Sequence, residues 1–439
     1  MRLKRSLCGL GLIFGVSLWL AGCGLDKRDG YEITESAGTT LADVGSTSRV
    51  LLLEDLDKDA ESDDAGREDD GDGSAQVGGV EAGDVETVLG GACCGEATHF
   101  AYDRLTEAEK IWYVDMSRTL REMATNRELS GKGLDAGLTE GDIDKIFQCV
   151  LGDHPEYFYV EGYTYTRFTR MEKTVKLEFS GTYSVSREEA LRRASEIQDA
   201  AGEILEGISM EASDYDKVKY VYETVIRGTE YDMNAPDNQN MYSVFAGHFS
   251  VCQGYAKAVQ YLLNRLGVEC TMVTGTVDTG EGHAWNLVKV DGQYYYVDAT
   301  WGDASYIQDE SLEADILQFP EINYDYLCVN TEQLLRTHSL GNVVAVPQCT
   351  ALENNYYVRE GVYFTAVDEA QLAECFQRAR EGGKSDVTLK CADAAVYGEL
   401  YDRLITKQGI FDHMDSEGGN IAYTQNEKQL SMTFWVTSG

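Results

Sequence analysis

Basic residues are scarce in this 439-residue chain. Lys and Arg number 37 against 75 Asp and Glu, giving a formal net charge of -38 and a pI near 4.4. After the first five residues no stretch concentrates Lys or Arg. Such a chain repels phosphate backbones, which excludes nucleic acid as a partner. Zinc patterns are missing too: no Cys-x-x-Cys occurs, Cys93 and Cys94 are adjacent, and the six His are scattered, so neither metal nor cofactor is expected. The acidic run Asp55-x-Asp57-x-Asp59 imitates a calcium loop but has Ala60 where the turn needs Gly and Gly66 where a bidentate Glu belongs. It reads as a solvated spacer. The apolar run Leu7 to Leu20 is too short and too Gly-rich for a comfortable membrane span, and no internal repeat of fixed period is visible.

That apolar run follows a basic start (Arg2, Lys4, Arg5) and precedes Leu20-Ala21-Gly22-Cys23. The order is that of a secretory signal, and the four residues resemble the lipobox of bacterial lipoprotein precursors. The resemblance implies a signal peptide over 1–22, a lipid on Cys23, and a lipid-anchored protein on the extracytoplasmic face of the cell membrane. From 23 to 95 the chain is expected to be an acidic disordered tether, rich in Asp, Glu, Gly, Ser and Thr. With Cys8 in the signal and Cys23 lipidated, one further Cys, Cys252, draws attention below, and eight remain as core thiols or disulfide partners, left open at this level.

The apolar share of 43% supports two or three ordinary cores. Over 96–212, Thr106-x-x-Glu109, Thr139-x-x-Asp142 and Ser186-x-x-Glu189 each precede an apolar stripe and predict capped helices. Between the second and third, Tyr157 to Tyr165 and Thr174 to Val185 read as strands. Ser213-x-x-Asp216 starts another helix, stopped by Gly228. The last part, 351–439, reads as a small α+β domain: strand Tyr356 to Phe364, helix Asp368 to Arg380, strand Asp386 to Cys391, helix Ala392 to Ile405, and strands Ile421 to Tyr423 and Leu430 to Val436.

Chemistry is concentrated in 213–350. After Cys252, the residues Ala256, Val259, Leu263 and Leu266 recur at helical spacing before Gly267, which places Cys252 in the first turn of a helix. There the free N–H groups and the helix dipole favour thiolate over thiol. Alone, a cysteine at the start of an apolar helix is more often packing than chemistry. A second pattern strengthens it. Asp291-Gly292 is a two-residue turn between Gly282–Val290 and Gln293–Trp301. If Val290 pairs with Gln293, Trp285 lies opposite Asp298, and His283 becomes the diagonal neighbour of Asp298, within reach of a side-chain hydrogen bond. A His oriented by a carboxylate can take a proton from a thiol and return one to a leaving amine.

These residues carry a family resemblance. Val-Cys-Gln-Gly-Tyr-Ala at 251–256, Gly-His-Ala-Trp-Asn at 282–286 and Val-Asp-Ala-Thr-Trp at 297–301 resemble the three blocks of the transglutaminase-like superfamily, in order and spacing. The resemblance implies an α+β, papain-like core in which a helix bearing the Cys packs on an antiparallel sheet bearing His and Asp. It makes Cys252 the nucleophile, His283 the general base and acid, Asp298 its orienting partner, and the Cys252 N–H a candidate oxyanion donor. Gln253, Trp285, Asn286 and Trp301 are supporting motif residues that frame the triad. Gln253 stands where animal transglutaminases place a Trp, and no Trp lies between Trp112 and Trp285. That departure weighs against calcium-dependent cross-linking and toward the bacterial members, many of which resemble peptidases or amide hydrolases. The expected activity is attack on an amide of a protein or peptide at the cell surface through a Cys thioester. Hydrolysis is favoured; transfer to an amine, as in a cross-linking transglutaminase, and a catalytically inactive binding module are the alternatives.

Overall fold

The computed structural model describes residues 32–39, 99–303, 321–341, 343–414 and 420–437. Cys8, Cys23, Cys93, Cys94 and the acidic run at 54–72 lie outside them. Strand β1 (Glu32–Thr39) is followed by helix α1 (Glu107–Arg121), helix α2 (Ile143–Asp153), a hairpin of β2 (Val160–Arg170) and β3 (Lys173–Tyr183), and helices α3 (Arg187–Leu205) and α4 (Asp214–Gly228). The capping boxes are real. Thr106 Oγ1 accepts from Glu109 N while Glu109 Oε2 accepts from Thr106 N, and Thr139 and Asp142 do the same ahead of α2. Trp112, Met116 and Leu120, four residues apart on α1, and Ile143, Ile146, Phe147 and Val150 on α2 are fully buried.

Residues 32–39, expected to be tether, instead pair antiparallel with β2, from Glu32 opposite Thr169 to Thr39 opposite Gly162. Strand pairing at a sheet edge runs through backbone N–H and C=O groups, so a polar segment can join without an apolar pattern to announce it. A two-residue strand at Arg127–Glu128 covers the other edge of this sheet.

The second sheet follows helix α5 (Cys252–Arg265). It comprises β4 (Cys270–Val277), β5 (Gly282–Val290), β6 (Gln293–Val297) and β7 (His338–Leu340), all antiparallel in the order β7-β4-β5-β6. One continuous hydrophobic cluster runs from Ala101 through α4 and α5 to Cys328, so the first sheet, the helices and this sheet form a single packed body. A second cluster, with Val273, Trp285, Leu287 and Tyr296 at its centre, fills the space under Phe100, Val329 and Leu334. The architecture is α+β.

A third sheet, β8 (Tyr363–Phe364), β9 (Asp386–Cys391), β11 (Ser431–Thr437) and β10 (Asn420–Asn426), packs with helices α6 (Glu369–Glu381) and α7 (Ala394–Tyr401) around its own core of Phe364, Leu372, Leu389, Leu400 and Phe434. The strand expected over 356–364 is only its last two residues. Asn355 Oδ1 accepts from Tyr357 N at 3.1 Å and caps a one-turn helix, Tyr356–Arg359, and Gly361 at φ 68° then turns the chain. An Asn cap overrode the β preference of Tyr-Tyr-Val. The helix expected over 392–405 is α7 followed by a wider turn at Asp402–Thr406. Among the described residues no helix is long and apolar enough to cross a membrane.

Candidate active site

Helix α5 begins at Cys252, and its N-cap, Val251, has no side chain able to accept from the first turn. The first-turn N–H groups and the positive end of the dipole therefore act on the thiol's surroundings. Gly254 lets this helix start sit against the preceding loop. A Cβ there would stand 1.9 Å from Ser250 Oγ and 2.9 Å from the Asn240 carbonyl. The loop itself is tied by Ser250 Oγ, which donates to Asn238 O at 2.9 Å and lies 2.8 Å from Ser243 Oγ.

Hairpin β5–β6 has the register deduced from its turn: Val290 faces Gln293 and Asn286 faces Val297, which continues to Trp285 opposite Asp298. Asp291 and Gly292 take φ of 51° and 78°, as a type I′ turn requires. Asn286 Nδ2 donates to Ala256 O at 2.9 Å and clamps the hairpin to α5. The diagonal pair then closes, with His283 Nε2 2.7 Å from Asp298 Oδ2 and the two side chains 7% and 1% exposed. Cys252 is near enough to His283 to raise the imidazole's proton affinity. Cys252 is half-buried and packs against Ala256, Met272 and Ala284.

Electrostatics follow from this burial. Desolvation lowers the His283 imidazole's proton affinity, but the Asp298 charge and hydrogen bond, with a further raising contribution from Cys252, outweigh it and carry the pKa up to about 10. Asp298 is desolvated as well, which alone would raise it. The charges and hydrogen bonds of His283 and His338 hold it well below the usual carboxylate range. Its Oδ1 accepts from Trp301 N at 3.1 Å, and its own N–H donates to Tyr326 O at 3.1 Å.

His338, on β7, was not singled out in the sequence. Its Nε2 is 3.1 Å from the same Asp298 Oδ2, and its side chain is fully buried. Trp285 stacks on His283 with centroids 5.8 Å apart and meets His338 edge-on at 4.9 Å; Trp301 lies 5.9 Å from His283 and 4.8 Å from His338. The two indoles thus frame both imidazoles. Gln253 is buried in α5. Among the described residues, His283, Asp298 and His338 are also the one group whose donor atoms lie close enough to share an ion. Their mutual hydrogen bonds account for the arrangement without one.

The arrangement places a half-buried thiol at a helix start, an imidazole beside it, and a carboxylate behind the imidazole: the layout of nucleophile, proton carrier and orienting group. The remaining six described cysteines, 149, 270, 328, 349, 375 and 391, are all buried and unpaired in disulfides.

Residues 201–299, which contain all three, match the model of the transglutaminase-like superfamily. The kyphoscoliosis peptidase of Mus musculus is 27% identical over 123 residues, 24% of this chain and 19% of the relative. The chain thus spans about a fifth of the length of the curated relatives it matches. Among solved structures, a TGase is similar at 17% identity with a TM-score of 0.24, covering 34% of this chain and 47% of the other. A candidate cysteine protease from Cytophaga hutchinsonii is similar at 14% identity with a TM-score of 0.22, covering 32% and 58%.

Proposed function

We propose that this chain is a thiol enzyme that opens an amide of a protein or peptide and passes the acyl group to water, a reading supported by the match of residues 201–299 to the transglutaminase-like superfamily. The observation that supports this most is the His283–Asp298 pair, closed at 2.7 Å, together with Cys252 at the start of α5. In the reaction the Cys252 sulfur, its proton held by His283, attacks the amide carbonyl carbon. The C–N bond breaks as the imidazolium gives its proton to the leaving amine. Water then attacks the thioester, His283 takes the water's proton, and the acid leaves as the thiolate is restored. The N–H of Cys252 is the oxyanion donor in this scheme. The peptidase name of the mouse relative favours water as acceptor, as does Gln253 in place of the animal Trp. The lipobox resemblance at Cys23 supports action at the cell surface, from a lipid anchor on the extracytoplasmic face.

The test is iodoacetamide labelling of the full chain across pH 4 to 9, with Cys252→Ala and His283→Ala alongside. One thiol reacting fast below pH 7, lost in the first variant and slowed in the second, is the expected result. A Cys252 that reacts no faster than an ordinary thiol overturns the catalytic reading and leaves a binding module in its place.

A further inference from the structure

The third sheet does not merely sit beside the catalytic body. The turn between β10 and β11 delivers Gln429, fully buried, into the segment that leads to β7. Gln429 Nε2 donates to Gln333 O at 3.2 Å, to Thr337 Oγ1 at 3.2 Å and, more weakly, to Tyr326 OH at 3.4 Å. Its Oε1 accepts from Lys390 Nζ at 3.4 Å. A carbonyl can only accept and a lysine beside a carboxylate donates, so these two neighbours fix which way the amide points. Lys390 is itself held by Asp325 Oδ1 at 2.8 Å, whose other oxygen accepts from Ser431 Oγ and Asn426 Nδ2. Lys390, Asn426, Gln429 and Ser431 come from the C-terminal unit, whereas Asp325, Tyr326, Gln333 and Thr337 precede it. Asp325 precedes Tyr326, whose carbonyl receives the Asp298 N–H.

The direction of the amide propagates. With Gln429 donating into Thr337 Oγ1, the threonine hydrogen points to one of two places: His338 Nδ1 at 2.9 Å or Tyr326 OH at 3.3 Å. The ionised Asp298 Oδ2 can only accept, so the His338 Nε2 that faces it carries a hydrogen and, in the neutral ring, Nδ1 is left to take the threonine's. An imidazole that accepts at Nδ1 carries its hydrogen on Nε2, the nitrogen 3.1 Å from Asp298 Oδ2.

We propose that Gln429 is a positioning residue of the active site: through Thr337 it holds His338 as the Nε2–H tautomer, a second donor on Asp298, so that the C-terminal unit completes the catalytic apparatus. The word catalytic rests on the reading given above; the tautomer and its effect on His283 do not. A second donor on Oδ2 draws part of the carboxylate's charge away from His283 and, with Trp301 N on Oδ1, stops the carboxylate turning. The ionisable groups around this pair are Cys252 from α5, His338 from β7, Tyr222 from α4 and Tyr326.

The chain has six His, few enough to resolve by 15N imidazole NMR. The full chain in detergent micelles, with 15N-His, is recorded first as wild type at neutral pH: His338 is expected with hydrogen on Nε2 and none on Nδ1. His283 is then titrated in a Cys252→Ala background, which removes the thiol's influence. His338→Leu is expected to raise its midpoint by about one pH unit, Gln429→Leu to raise it by less, and His338→Gln, whose amide N–H replaces the imidazole donor, to return it to the starting value. A wild-type His338 protonated on Nδ1 overturns the proposal. So does a His283 midpoint unmoved by His338→Leu and Gln429→Leu, even if both variants melt earlier. Should His338→Leu not fold, the wild-type tautomer and Gln429→Leu decide. Failure of the enzyme reading is separate, because it shows in wild-type Cys252 labelling and leaves these imidazole signals unchanged.

Discussion

Replacing Asp298 by Asn changes one oxygen for an amide and removes the charge that governs the site. The carboxylate accepts from His283 and His338 on Oδ2 and from Trp301 N on Oδ1. An Asn can satisfy one side only and turns an N–H toward donors on the other. Without the charge, burial dominates at His283, and its pKa falls from about 10 to about its ordinary 6.5 or lower. That change is worth roughly 5 kcal/mol at about 1.36 kcal/mol per pH unit. At pH 7.5 the imidazolium beside Cys252 is then largely gone, whereas in the wild type it is retained. Losing the charged neighbour, an effect of about 1.5 to 3 kcal/mol for a charge-assisted contact, is expected to slow Cys252 alkylation about 10- to 100-fold. Two measurements read this: the His283 titration by NMR, and the second-order rate of iodoacetamide with Cys252 at pH 7.5, with circular dichroism to establish that the variant folds. A folded Asp298→Asn protein whose rate at pH 7.5 stays within twofold of wild type refutes the argument, because Cys252 would then owe its reactivity to something other than this pair.

Two further outcomes follow from the same geometry. Among the described cysteines, only Cys252 is expected to alkylate in the native chain. Cys149 and Cys391 are pushed up to about 12 and Cys349 to about 11 by burial, and Cys270, Cys328 and Cys375 are raised by it too; peptide mass spectrometry before and after urea would show six thiols appearing only on unfolding. Stability should also depend on pH through the ion pair. His283 is raised in the fold, so its contribution is complete below pH 6.5 and is lost as pH rises through about 10; Asp298 is depressed, so its contribution is present above pH 4 and lost in acid. Urea denaturation of wild type against His283→Ala should therefore differ most between pH 4 and 6.5 and converge toward pH 10, and a constant difference across that range contradicts the assignment.

How much of this was legible in the sequence depends on the range over which each feature is decided. The His283–Asp298 pair was readable because Asp291-Gly292 fixes a turn, the turn fixes the register, and the register fixes the diagonal. The helix starts were readable because a cap and its third residue are local. His338 was not. It reaches Asp298 from forty positions away, on a three-residue strand at the far edge of the sheet, and nothing near it in the sequence marks a lone histidine as a partner of that carboxylate. The same holds for Gln429, whose role exists only where two units meet. Residues 32–39 escaped because backbone pairing leaves no compositional trace, and Tyr356–Arg359 was misread because a single Asn outweighed three residues of β preference.

Strand β1 alters the mechanics of anchoring. If Cys23 carries lipid, only residues 24–31 separate the bilayer from a segment fixed to the body at Glu32. Eight residues reach at most about 30 Å. Residues 40–98 have both ends tied to the same body, so their length adds nothing to that reach. On that condition the thiol would be kept within a short radius of the membrane. If the proposed function holds, a thiol so leashed would meet substrates at the surface that holds it, and breaking the β1 pairing would lengthen the leash without touching Cys252, His283 or Asp298.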